Sequence, residues 1–189
     1  RSLTPTQIPV EVFVKSDDND AADAVIVNIV DRLDMDCTAQ LDGTIYMFFY
    51  HVRTNYIHIE PVESKHATAM LTAYKKGLSF YVAHGAKPTI QRMDNELSTE
   101  FREYLKTPEV QLKLDLVPPG QHRRNTCERA IQTGKHHIIA TLSGADPDFP
   151  LKAIKSSIPG IEISLNLLRQ SPIDPSISAY DQLIGLFDF

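Results

Sequence analysis

Cysteine is scarce: Cys37 and Cys127 are the two among 189 residues, too few for a disulfide framework or a cysteine-based zinc site. The eight glycines are scattered, which leaves no loop to cradle a nucleotide phosphate and no G-x-S-x-G turn to raise a nucleophilic serine. The seven histidines lack metal-finger spacing, and the adjacent His136 and His137 point in different directions on a helix, so no zinc is expected. No apolar run approaches the roughly 20 residues that a membrane helix needs, and no membrane partner is expected. Nor does a basic segment followed by an apolar stretch follow Arg1; the expectation is an intracellular fragment of a longer product, without a secretion signal.

What is present is ordinary in bulk, with 42% apolar and 23% charged residues. The length suits one well-cored domain with flanking segments. A net charge of -5 is awkward for a nucleic-acid binder unless the basic residues are concentrated. They are partly concentrated: His122, Arg123, Arg124, Arg129 and Lys135 share one short window, whereas Asp17, Asp18, Asp20 and Asp23 lie near the amino end.

Residues 1–23, with Pro5, Pro9 and the acidic patch, read as a linker or loosely attached arm. From Ala24 the run V-I-V-N-I-V is a short strand or a buried helix turn, which periodicity cannot separate. Two extended runs, 35–41 and 44–52, flank Asp42-Gly43, a hairpin signal because that tight turn needs positive φ. A third strand follows in N-Y-I-H-I-E-P-V and ends near Pro61. Ser64 is placed to cap a helix to about His84, stopped by Gly85, with Ala67, Met70, Leu71, Tyr74, Leu78, Tyr81 and Val82 on its buried face. A strand from Thr89 to Met93, a helix from Ser98 to Lys106 and a strand from Val110 to Val117 come next. A long helix from about Asn125 to Leu142 buries Cys127, Ile131, Gly134, Ile138 and Leu142, while Glu128, Gln132 and Lys135 share another face. A helical region at 148–169 is expected to break at Pro159-Gly160. The core is assigned to 24–145, and 146–189 to a C-terminal helix and tail packing on it.

The chemistry suggested is metal-assisted phosphoryl transfer. Two divalent ions about 3.5–4 Å apart stabilise the attacking and leaving oxygens, and carboxylates are the hard ligands Mg²⁺ prefers. Asp94 at a strand end, Glu128 on the basic helix and Asp36 on the first hairpin strand are the candidate ligands. Taken singly, each has a plainer reading. Asp94 could cap the helix after it, Glu128 could favour the helix dipole, and Arg123 with Arg124 could be a solvated face. Cys127 belongs to the buried stripe and reads as core.

The strings Q-R-M-D-N-E, L-V-P-P-G-Q-H-R-R-N-T-C-E-R-A-I, D-P-D-F-P-L, I-E-I-S-L-N-L-L-R-Q-S and I-S-A-Y-D-Q-L-I-G-L-F-D-F, in that order, resemble the integrase catalytic core of retrotransposon polyproteins. The resemblance covers about Asp36 to Phe189. It implies an α/β, ribonuclease-H-like fold, a mixed five-stranded sheet of three antiparallel strands with parallel additions, and helices on both faces. It also implies that Asp36, Asp94 and Glu128 hold two Mg²⁺ or Mn²⁺ ions, nick element DNA ends and join them to target DNA. That activity would take place in the nucleus, in an assembly of several copies. His122, Arg123, Arg124 and Lys135 are the expected phosphate contacts. The sequence departs from the pattern at Ala39, where a glycine is expected, in the short Asp42-Gly43 loop, and in having no tryptophan. A catalytically inactive remnant that binds only nucleic acid or partner chains, and a ribonuclease-H-like nuclease, are the alternative readings.

Overall fold

The computed structural model describes residues 32–40, 44–94, 98–117, 126–146, 148–150 and 153–187; the side chains at 33, 36–40 and 94 lie outside that description. Strands β1 (Arg32–Gln40), β2 (Ile45–His51) and β3 (Tyr56–Val62) come first, then helix α1 (Ala67–Ala83) and β4 (Ile90–Asp94). They are followed by α2 (Thr99–Leu105), β5 (Lys113–Val117), α3 (Thr126–Ser143), α4 (Ile154–Leu167) and α5 (Ala179–Leu183). One five-stranded sheet has the order β3-β2-β1-β4-β5. The first three strands are antiparallel, and β4 and β5 add in parallel. This is the mixed sheet expected of the ribonuclease-H-like fold.

β2 explains the layering. Successive side chains of a strand point to opposite faces. Met47 and Phe49 therefore enter one core with Tyr74, Leu78, Tyr81 and Phe101 of α1 and α2. Tyr46, Phe48 and Tyr50 enter a second with Cys127, Ile131, Ile138, Ile158 and Leu165 of α3 and α4. The two phenylalanines are fully buried, each worth about 1.5–3 kcal/mol against exposure. Each also seats on a glycine. A Cβ at Gly77 of α1 would lie 2.3 Å from the Phe49 ring, and one at Gly134 of α3 would lie 2.5 Å from the Phe48 ring. Gly134 thus stands on the buried stripe because the helix approaches the sheet there too closely for a side chain.

The third strand lies at the sheet edge, where backbone N–H and C=O groups would otherwise be open. Side chains of α4 close that edge. Asn166 accepts from the Ile57 N–H at 2.8 Å and donates to the Ile57 carbonyl at 2.8 Å. Glu162, one turn earlier, accepts from the Ile59 N–H at 2.9 Å and from the Tyr56 hydroxyl at 3.0 Å. His58 completes the cluster, with Nδ1 2.9 Å from Glu162 and Nε2 3.1 Å from Glu60. Burial pushes this imidazole down, but the hydrogen bonds and charges of the two glutamates outweigh burial and raise it to about 9.

Several local expectations are corrected. Helix α1 begins at Ala67 with His66, not Ser64, as its N-cap residue, and the Ser64 hydroxyl accepts from the His66 N–H instead. Val82 is 56% exposed rather than core, because α1 turns its Tyr74–Leu78–Tyr81 stripe to the sheet. Gly85 does end the helix, with φ of 82°. β5 starts at Lys113, after Gln111 takes a positive φ of 47°. The α4 helix runs through Pro159 without a break. Burial of Ile154, Ile158, Ile161 and Leu165, at about 1.5–3 kcal/mol each, exceeds the roughly 3 kcal/mol a helical proline costs. The carbonyl left without its donor belongs to exposed Lys155, where water can serve it. The hairpin pairing of β1 and β2 is as expected, although residues 41–43, including Asp42-Gly43, lie outside the described residues, as does the 1–31 segment with V-I-V-N-I-V. No described helix is long and apolar enough to cross a membrane.

Candidate active site

The sheet register brings the first two proposed ligands to one level. The parallel pairing of β1 with β4 matches Asp34 to Arg92. Asp36 and Asp94 each lie two residues farther along, at positions of the same parity. Asp36 pairs on its other side with Phe48 of β2, and Asp94, the last residue of β4, pairs with Val117 of β5. The register of β1 shifts between Cys37 and Ala39, directly after Asp36. Bulges of this kind are common beside active sites because they end regular pairing and redirect the chain.

The third proposed ligand lies on α3, whose amino end is tied to the same part of the sheet. The Cys127 thiol donates to the Phe48 carbonyl at 3.2 Å, and Phe48 is the residue paired with Asp36. One residue earlier, the Thr126 hydroxyl donates to Asp34. Asp34 is fully buried and held by Arg32, whose Nε and Nη2 lie 2.6 and 2.9 Å from its two oxygens. With Thr126 and Cys127 so placed, Glu128 occupies the first turn of α3, half-buried. Anionic groups at that position are favoured by the free N–H groups of the helix start.

Asp36, Asp94 and Glu128 therefore stand on β1, β4 and the start of α3, three elements joined by direct hydrogen bonds or sheet pairing. The carboxyl groups of Asp36 and Asp94 lie outside the described residues, as do His122, Arg123 and Arg124. Lys135 is half-buried on α3, two turns after Glu128. Cys127 is fully buried, consistent with a core residue. Carboxylates are hard oxygen donors of the kind that suit Mg²⁺ or Mn²⁺, and among the described residues no group of three or more His, Cys, Asp or Glu comes together as a metal site.

Arg32, Asp34 and Thr126 were not among the residues picked out by sequence pattern. The available signal was the D-x-D spacing of Asp34 and Asp36, which places both on one side of a strand. Glu162 and Asn166 were likewise missed, though two polar residues one turn apart on an apolar helix stripe are unusual. A cavity of about 720 Å³ opens between β3, the end of α1 and α4, bordered by His58, Phe80, Pro159 and Glu162. Glu128 is not among its described lining residues, and the polar groups of His58 and Glu162 at its wall are already bonded to each other.

No protein-family model and no curated protein matches the chain. Solved structures do. The catalytic core domain of BIV integrase superposes with a TM-score of 0.61 at 13% identity, covering 82% of this chain and 94% of that one. The HTLV-2 integrase catalytic core domain in complex with magnesium, in its trimeric form, gives 0.59 at 18% identity, covering 82% and 95%. Its dimeric form gives 0.55 at 17% identity, covering 74% and 88%. The chain has the fold of a retroviral integrase catalytic core.

Proposed function

We propose that this chain is the catalytic core of a retrotransposon integrase, which nicks the ends of element DNA and joins them to target DNA. The supporting observation is the level placement of Asp36 and Asp94 on adjacent parallel strands, with α3 anchored by Cys127 to the strand partner of Asp36. Asp36, Asp94 and Glu128 would hold two Mg²⁺ or Mn²⁺ ions, which supply charge stabilisation to the attacking and leaving oxygens of the displaced phosphodiester.

The protein's own contribution is placement. On this reading the sheet would carry two of the carboxylates and the packed, glycine-seated α3 the third, so that the site would be preorganised before DNA arrives. His122, Arg123, Arg124 and Lys135 would neutralise backbone phosphates next to it. This concentration of positive charge reconciles a DNA substrate with a net charge of -5. Assembly with further copies, and action in the nucleus, belong to the same proposal.

The test is a strand-transfer assay with Mn²⁺ and duplexes carrying element ends, run beside Asp94→Asn. Metal-dependent nicking and joining that vanish in the variant are expected. Equal activity in both proteins, or none in either, would sink the proposal. Preferential cleavage of an RNA–DNA hybrid would move the chain to the ribonuclease class.

A further inference from the structure

We infer that Arg32, Asp34 and Thr126 form a positioning clamp that fixes the distance between the Asp36 and Glu128 carboxylates, an inference that rests on the metal site proposed above. Asp34 precedes Asp36 by two residues on β1, and Thr126 precedes Glu128 by two residues on α3. The two forerunners are hydrogen-bonded to each other across 92 residues of chain. A bond between the residues just before each ligand fixes how the strand and the helix carry those ligands forward.

The clamp is built to hold direction. Arg32 grips both oxygens of Asp34, through Nε at 2.6 Å and Nη2 at 2.9 Å, and the same Nη2 lies 3.3 Å from the Thr126 hydroxyl. A two-pronged guanidinium–carboxylate pair sets the plane of the carboxylate as well as its position. The Asp34 oxygen that meets Thr126 is thereby aimed at the start of α3.

Stability alone is a poor explanation for this arrangement. Arg32 and Asp34 are 1% and 0% exposed, and buried ion pairs are often replaceable by apolar residues without loss, since desolvation offsets their attraction. Furthermore, Arg32 Nη1 is buried with no hydrogen-bond partner among the described residues, a further burden on the fold. What the trio supplies that an apolar filling could not is a directional link from β1 to α3.

Thr126→Val separates positioning from folding. It replaces the hydroxyl with a methyl of similar size at an exposed helix end, while both Asp34 oxygens keep their bonds to Arg32. Mn²⁺ affinity by titration calorimetry should weaken by about 10- to 100-fold, the usual effect of removing a residue that orients a metal ligand. The melting temperature without metal should stay within about 4 °C of the wild type, and Thr126→Ser should restore Mn²⁺ binding. Strand-transfer kcat should fall in parallel.

Asp94→Asn keeps the two failures apart. If this variant loses Mn²⁺ binding while Thr126→Val binds within about twofold of the wild type, the clamp is refuted and the metal site stands. If Asp94→Asn binds Mn²⁺ like the wild type, the site reading fails and the clamp fails with it. A Thr126→Val protein that loses metal affinity only together with a drop of more than about 8 °C in melting temperature, and is not rescued by serine, assigns the trio to fold maintenance and overturns the inference.

Discussion

Replacing Asn166 with leucine removes the device that closes the sheet edge. The side chain is fully buried and makes bonds of 2.8 Å to both the N–H and the carbonyl of Ile57. Leucine has nearly the same volume, so the change is chemical rather than steric. Ile57 is itself 0% exposed, so water cannot take over. Leaving two buried backbone groups unpaired costs about 1–3 kcal/mol each. Burying an apolar group in place of an amide returns roughly 1 kcal/mol, for a net loss of about 1–5 kcal/mol. The third bond, to the Glu162 carbonyl at 2.9 Å, adds little because that carbonyl lies within α4. Against a total stability of about 5–15 kcal/mol for a domain, such a loss is large.

Urea unfolding followed by far-ultraviolet circular dichroism is the suitable assay, since the chain has no tryptophan. With a slope of about 2 kcal/mol per molar urea, the midpoint of Asn166→Leu should fall by about 0.5–2.5 M at unchanged slope. Amide exchange at Ile57 should quicken in step with it. A midpoint drop smaller than about 0.3 M, or unaltered protection at Ile57, would refute the view that α4 side chains substitute for a missing strand.

The His58 imidazole is raised from 6.5 to about 9, so its contribution to stability is complete below about pH 6.5 and lost as pH rises toward 9. That contribution is about 3 kcal/mol; Glu162→Gln should flatten the decline in melting temperature between pH 6.5 and 9, and an unchanged slope would count against the ion-pair account. Gly134→Ala should destabilise by about 1–2 kcal/mol, since overpacking against Phe48 exceeds the gain in helix propensity, whereas Gly160→Ala, with nothing within 4 Å of its new Cβ, should stabilise by about 0.5–1 kcal/mol in the same urea assay. Lys135→Ala should weaken DNA binding equally on all sequences and reduce the slope of log affinity against log salt by about 1, measured by anisotropy.

Much of the architecture could be read from local chemistry. Alternation in β3 and the apolar stripe of α3 each report one element's burial, and a strand or helix carries that pattern wherever it packs. Asp94 and Glu128 were legible for a related reason, as acidic residues at the end of a strand and the start of a helix. Pro159 misled because local breaker strength was weighed without the four isoleucine and leucine side chains that hold α4 in place. Val82 misled because the helical period leaves a margin of one residue at the border of a buried stripe.

The sequence by itself determined the order of strands and helices and the pairing of the first two strands as a hairpin. These follow from side-chain chemistry and spacing, which need no partner. Tertiary structure decided the rest: that Phe48 and Phe49 meet Gly134 and Gly77 on opposite sides of one strand, that Glu162 and Asn166 complete the edge of β3, and that Thr126 bonds to Asp34. Each of these joins residues more than 25 positions apart, and such meetings are settled by how the layers pack rather than by any local preference.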